Sequence, residues 1–96
     1  MAFAKLIEDN RAEILRIAKA HGATQVRVFG SFARDTAGPD SDVDILVDLE
    51  PGRHLLDLIE IKHGIEDLLG REVHIVTEGF ISRYFRDEVI RTATPL

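Results

Sequence analysis

The 96-residue chain contains no cysteine, which removes disulfides, thiolate metal sites and thiol catalysis from consideration. No apolar run is long enough to cross a bilayer, and no secretory signal stands at the front of the sequence. A soluble, cytoplasmic protein with no membrane partner is therefore expected. Basic residues are outnumbered, 12 Lys and Arg against 17 Asp and Glu, giving a formal net charge of -5. Sequence-independent grip on a nucleic-acid backbone relies on Lys and Arg, so strong nucleic-acid binding is not expected. Repeats and low-complexity segments are also missing. What is present, at 45% hydrophobic residues, suits one domain over residues 1–96 with a modest core.

Periodicity divides the chain into seven elements. Residues 3–21 carry Phe3, Leu6, Ile7, Ile14, Ile17 and Ala18 at helical spacing, with His21 and Gly22 as the stop. Thr24–Phe29 reads as a strand, and Ser31–Asp35 as one short helical turn closed by Ala37-Gly38-Pro39-Asp40. Val43–Leu49 is the second strand and Leu55–Leu69 a helix capped by Gly70; Gly64 within it implies a slight bend or close packing. Glu72–Val76 is the third strand, and Phe80–Thr92 a last helix that Pro95 ends. The order α-β-α-β-α-β-α places the chain in the α/β (α+β) class, with a small mixed sheet covered by helices. A full helix between the second and third strands favours parallel pairing, whereas the short link between the first and second favours antiparallel pairing.

The most informative stretch runs from Gly30-Ser31 through ten residues to Asp42-Val43-Asp44. A glycine turn after a strand lets backbone N–H groups approach phosphate oxygens. Two carboxylates two residues apart at a strand start point to the same side, where they can hold hard divalent cations. Together these are the requirements of metal-dependent phosphoryl or nucleotidyl transfer.

Gly30-Ser31, ten residues, then Asp42-x-Asp44 resembles the signature of the DNA polymerase β-type nucleotidyltransferase superfamily, a pattern expected by chance in on the order of one in a thousand chains this long. The Gly-Ser-Phe-Ala-Arg opening, the Ser-Asp-Val-Asp close and the ending from Val76 to Ile90 look in particular like the minimal nucleotidyltransferase (MNT) branch. That branch is typically paired with a helical HEPN-type toxin, which some members neutralise by moving AMP from ATP to a tyrosine. The resemblance implies the nucleotidyltransferase fold, triphosphate binding by Gly30 and Ser31 with Arg34 near the phosphates, and two magnesium ions on Asp42 and Asp44. One position departs from the pattern: His74 stands where the superfamily usually has a third carboxylate. An imidazole accepts protons well near neutral pH but suits manganese better than magnesium. Glu72 shares the strand face of His74, one pleat away. The alternative is an antitoxin that neutralises its partner by binding alone.

Several residues carry weaker signals. His21 reads as a helix C-terminal residue facing the dipole, and His54 and His63, nine residues apart, suggest no metal pair. Asp48 follows the aspartate pair on the same strand face and is expected to reach solvent. Arg34 is divided between a phosphate contact and an ion pair with Asp35 or Asp40. Tyr84, Phe85, Val89 and Ile90 form a mostly core stripe whose exposed part is a candidate partner surface.

Overall fold

Ile7, Ile14 and Ala18 recur on one stripe, and they are the residues that the first helix, α1 (Lys5–Ala20), buries. The computed structural model describes residues 5–30, 42–77, 87, 89–91 and 93–96. Within them α1 is followed by β1 (Ala23–Phe29), β2 (Val43–Leu49), the helix α2 (Leu55–Leu69), β3 (Val73–Val76) and β4 (Thr94–Pro95). The expected turn at Ser31–Asp35 lies outside the described residues. Asp87, Val89, Ile90 and Arg91 are helical, as the last apolar stripe predicts, and the Ala93 N–H donates to the Val89 carbonyl at 2.8 Å. No helix among the described residues is long and apolar enough to cross a membrane.

The strands form one sheet in the order β3-β2-β1-β4. β1 pairs with β2 antiparallel, and β2 pairs with β3 parallel through the α2 crossover, both as the connection lengths predict. β4 is a strand that periodicity does not reveal. It pairs antiparallel with β1, and the Leu96 N–H extends the contact to the Val26 carbonyl at 3.0 Å. Pro95 thus sits in an edge strand, where a missing N–H is tolerated.

Alternation gives the sheet two unlike faces. Val26, Val28, Val43, Ile45, Val47 and Val73 face the helices and join Ile7, Ile14, Leu58, Ile61 and Ile65 in one core cluster. Burying each such aliphatic side chain contributes about 1.5–3 kcal/mol before entropy is counted. α1 and α2 approach closely at Gly64, where a methyl group would lie 2.9 Å from Ile17 Cγ2. Of the two expectations for this glycine, close packing is therefore the one observed.

The other face carries Asp44, Leu46 and Asp48 from β2, with Arg27 from β1 and His74 from β3. Leu46 is fully buried there, and Arg27, opposite it in register, is nearly so. Arg27 Nη2 reaches Asp48 Oδ2 at 3.3 Å. Asp48 is therefore a partner for a buried cation rather than a side chain extended into solvent, because a guanidinium in this position needs a nearby anion.

Both ends of α2 are tied down by carboxylates. The His54 N–H donates to Asp57 Oδ2 at 2.9 Å, and Asp57 Oδ1 faces Arg53 Nη1 at 3.6 Å and His21 Nδ1 at 3.8 Å. The hydrogen bond from His54, aided by the charges of Arg53 and His21, holds the Asp57 carboxyl below its ordinary range. His21 thereby joins the end of α1 to the start of α2. At the other end, Glu66 Oε2 accepts from Lys62 Nζ at 2.8 Å and from the Val73 N–H at 3.0 Å. Leu55 and Leu56, in the first turn of α2, stand exposed.

Candidate active site

The antiparallel register sets Asp44 of β2 opposite Phe29, the last residue of β1, and so beside Gly30. Gly30 has φ +70°, and a Cβ there would collide with Asp44 Oδ2. The glycine is required twice, once by its backbone conformation and once by the carboxylate lying over it. Gly30→Ala is expected to cost about 1–3 kcal/mol in backbone strain and to displace the Asp44 carboxylate. A thermal melt would show this as a loss of roughly 4–8 °C for each kcal/mol in a domain of this size. An unchanged melting temperature would remove the steric argument.

The parallel register aligns Val43 with Val73 and Asp44 with His74, and the Val43 N–H donates to the Glu72 carbonyl at 3.0 Å. Asp42, Glu72 and His74 consequently lie at the starts of two adjacent strands on the face away from the core. One ligand atom from each of the three lies within 4.8 Å of the others. His74 Nε2 is 3.0 Å from Asp42 Oδ2. About half of each of these two side chains is open to solvent.

This contact controls the protonation of His74. Its hydrogen bond with Asp42 raises the imidazole pKa above 6.5; partial burial opposes the rise, and the charges of Asp44, Asp42 and Glu72 add to it. A group with a raised folded-state value contributes stability that is full below the unfolded value and is lost as pH climbs through the folded one. The His74–Asp42 attraction is therefore full below the imidazole's ordinary value and fades as pH rises through its raised one. In an NMR titration His74 is expected to titrate above 6.5, and Asp42→Asn should bring it down. A titration unaffected by Asp42→Asn would show that the pair does not form in solution.

Among the candidate residues, the structure brings Asp42 and His74 together beside Asp44, with Gly30 against the Asp44 carboxylate. Ser31 and Arg34 lie outside the described residues, as do Tyr84 and Phe85. Val89 and Ile90 are half-buried. Glu72 belongs with the cluster more closely than its place one pleat away implies. Its signal in the sequence is the Glu-x-His spacing, which puts both side chains on one strand face. Asp42 and Glu72 supply carboxylate oxygens that a hard divalent cation takes, and His74 adds a nitrogen suited to manganese. The donor set thus fits a divalent ion.

Comparison with known proteins agrees with this arrangement. The nucleotidyltransferase domain family matches residues 11–94. A Methanocaldococcus jannaschii protein assigned as a protein adenylyltransferase is 36% identical, over 91% of this chain and 94% of its own. A solved structure assigned as a minimal nucleotidyltransferase is 44% identical, with a TM-score of 0.86 over 96% of this chain and 94% of that one. A toxin–antitoxin crystal structure with AMP-PNP shares the fold at 19% identity, with a TM-score of 0.77 over 90% of this chain and 71% of that one. With Gly30 set against one of two paired aspartates, and with a match covering most of its length, the chain belongs to the nucleotidyltransferase domain family, in its minimal form.

Proposed function

We propose that this chain is a protein adenylyltransferase antitoxin that moves AMP from ATP to a tyrosine hydroxyl of a HEPN-type helical toxin. The observation that carries the reading is the grouping of Asp42 and His74 beside Asp44 and Gly30 at adjoining strand ends. The M. jannaschii relative's assignment supports adenylyl transfer, and the toxin–antitoxin structure with AMP-PNP supports the pairing and the nucleotide. Exposed Leu55 and Leu56 offer apolar surface to a protein partner.

In this reading the tyrosine oxygen attacks the α-phosphorus of ATP, a P–O bond forms, the α–β anhydride bond breaks, and pyrophosphate leaves. Gly30 and the Ser31 hydroxyl orient the triphosphate, with Arg34 beside its phosphates. Asp42 and Asp44 would hold two divalent cations, magnesium or manganese, which when bound would offset charge on the attacking and leaving oxygens. Neutral His74, donating its Nε2–H to Asp42, retains a lone pair on Nδ1 and takes the tyrosine proton there.

Intact-mass spectrometry of the partner toxin, after incubation with this chain, ATP and Mg2+ or Mn2+, tests the proposal. One or more AMP increments, absent with Asp42→Asn, are expected. No increment, with a stable complex on a sizing column, would overturn the enzyme reading in favour of neutralisation by binding alone. What favours that second reading is the resemblance to the superfamily, which implies a third carboxylate where this chain has His74.

A further inference from the structure

His74 brings a nitrogen to the cluster at a position where the resemblance to the superfamily implies a carboxylate. We infer that Glu72 is the third cation-holding carboxylate of this site, displaced by one pleat from its usual strand position, and that this displacement frees His74 for proton transfer. The inference rests on the nucleotidyltransferase reading of the site and adds a residue to it.

Three observations carry it. First, Glu72 and Asp42 stand side by side at the starts of β3 and β2, joined by the bond from the Val43 N–H to the Glu72 carbonyl at 3.0 Å. The backbone therefore fixes their separation. Second, a Glu72 carboxylate oxygen, an Asp42 oxygen and a His74 nitrogen all lie within 4.8 Å of one another. Two carboxylates brought this close in solvent-exposed positions repel each other, and a cation between them relieves that repulsion. Third, Glu72 has one more methylene than the aspartate that a position-74 ligand would use. The longer side chain makes up part of the distance lost by moving back along the strand. On the reading proposed above, Glu72 joins Asp42 and Asp44 as an oxygen donor, the chemistry magnesium prefers.

A cycle of variants tests this by Mg2+ binding, without ATP or partner, so that failure to bind Mg2+ is distinguishable from failure to transfer AMP. Backbone amide shifts of the 15N-labelled chain would follow the titration. Glu72→Gln is expected to weaken Mg2+ binding by about tenfold or more, whereas Glu60→Gln, removing equal charge from an exposed position on α2, should change it by less than about twofold. His74→Asp should change affinity little in the native chain but restore most of it when combined with Glu72→Gln, because it returns the carboxylate to the register position opposite Asp44. Equal affinity of the Glu72→Gln and native chains would overturn the inference. So would an equal gain from His74→Asp in both backgrounds, or absence of Mg2+ binding by the native chain.

Discussion

On the proposed adenylyltransferase reading, Asp42→Asn is expected to reduce AMP transfer to the partner by at least about a hundredfold, the scale seen when a group stabilising transition-state charge is removed, while the chain stays folded. The substitution keeps the size and one oxygen of the side chain but removes the charge that a cation needs. Asp42 lies outside the strand proper and about half of its side chain faces solvent, so stability should change by no more than about 0.5 kcal/mol. The contact with His74 Nε2 at 3.0 Å loses its charge at the same time, and the imidazole becomes more acidic. Rate, measured by intact mass of the partner, and fold, measured by circular dichroism, should separate cleanly. Transfer at native rate by the variant would exclude Asp42 from the reaction.

The largest effect on stability is expected at Ile45. This residue is fully buried in the core cluster on the central strand β2, one position from Asp44. Ile45→Ala removes buried methylene and methyl groups and leaves a cavity between the sheet and the helices that cover it, at a cost of about 2–5 kcal/mol. Against a total of about 5–15 kcal/mol for a domain, that is a large share, and the melting temperature should fall by roughly 4–8 °C per kcal/mol. Leu55→Ala, at a side chain 64% exposed, should shift stability by less than about 0.5 kcal/mol. Equal melting temperatures for the two variants would contradict the placement of the core.

These expectations draw on parts of the fold that local pattern makes legible. The sequence rule for β2 gives Val43–Leu49 and the rule for α2 gives Leu55–Leu69, and both stand in the structure. Alternation and helical periodicity are properties of neighbouring residues, so tertiary contacts need not be known. Pairing direction follows from linker length in the same way. β4 is different: two residues, one of them Pro95, hold no period, and only the partner strand β1 makes them a strand. The Arg27–Asp48 pair is likewise a product of register, joining residues 21 positions apart. In the site, the aspartate spacing is visible in the sequence. The approach of Glu72 to Asp42 is not, because it depends on how far β3 slides along β2.

The Glu66 carboxylate and Pro95, which take no part in the chemistry, together govern how molecules of this protein meet. Every open sheet invites another chain to hydrogen-bond along its margin. On the β3 side, the Val73 N–H is already satisfied by Glu66, whose charge Lys62 balances. On the opposite side the outermost strand is only two residues long and includes a proline without an N–H. A second molecule thus finds a plugged donor at one margin and a truncated ladder at the other. Among the described residues, each margin offers a second molecule less than a full ladder, which disfavours growth by strand addition.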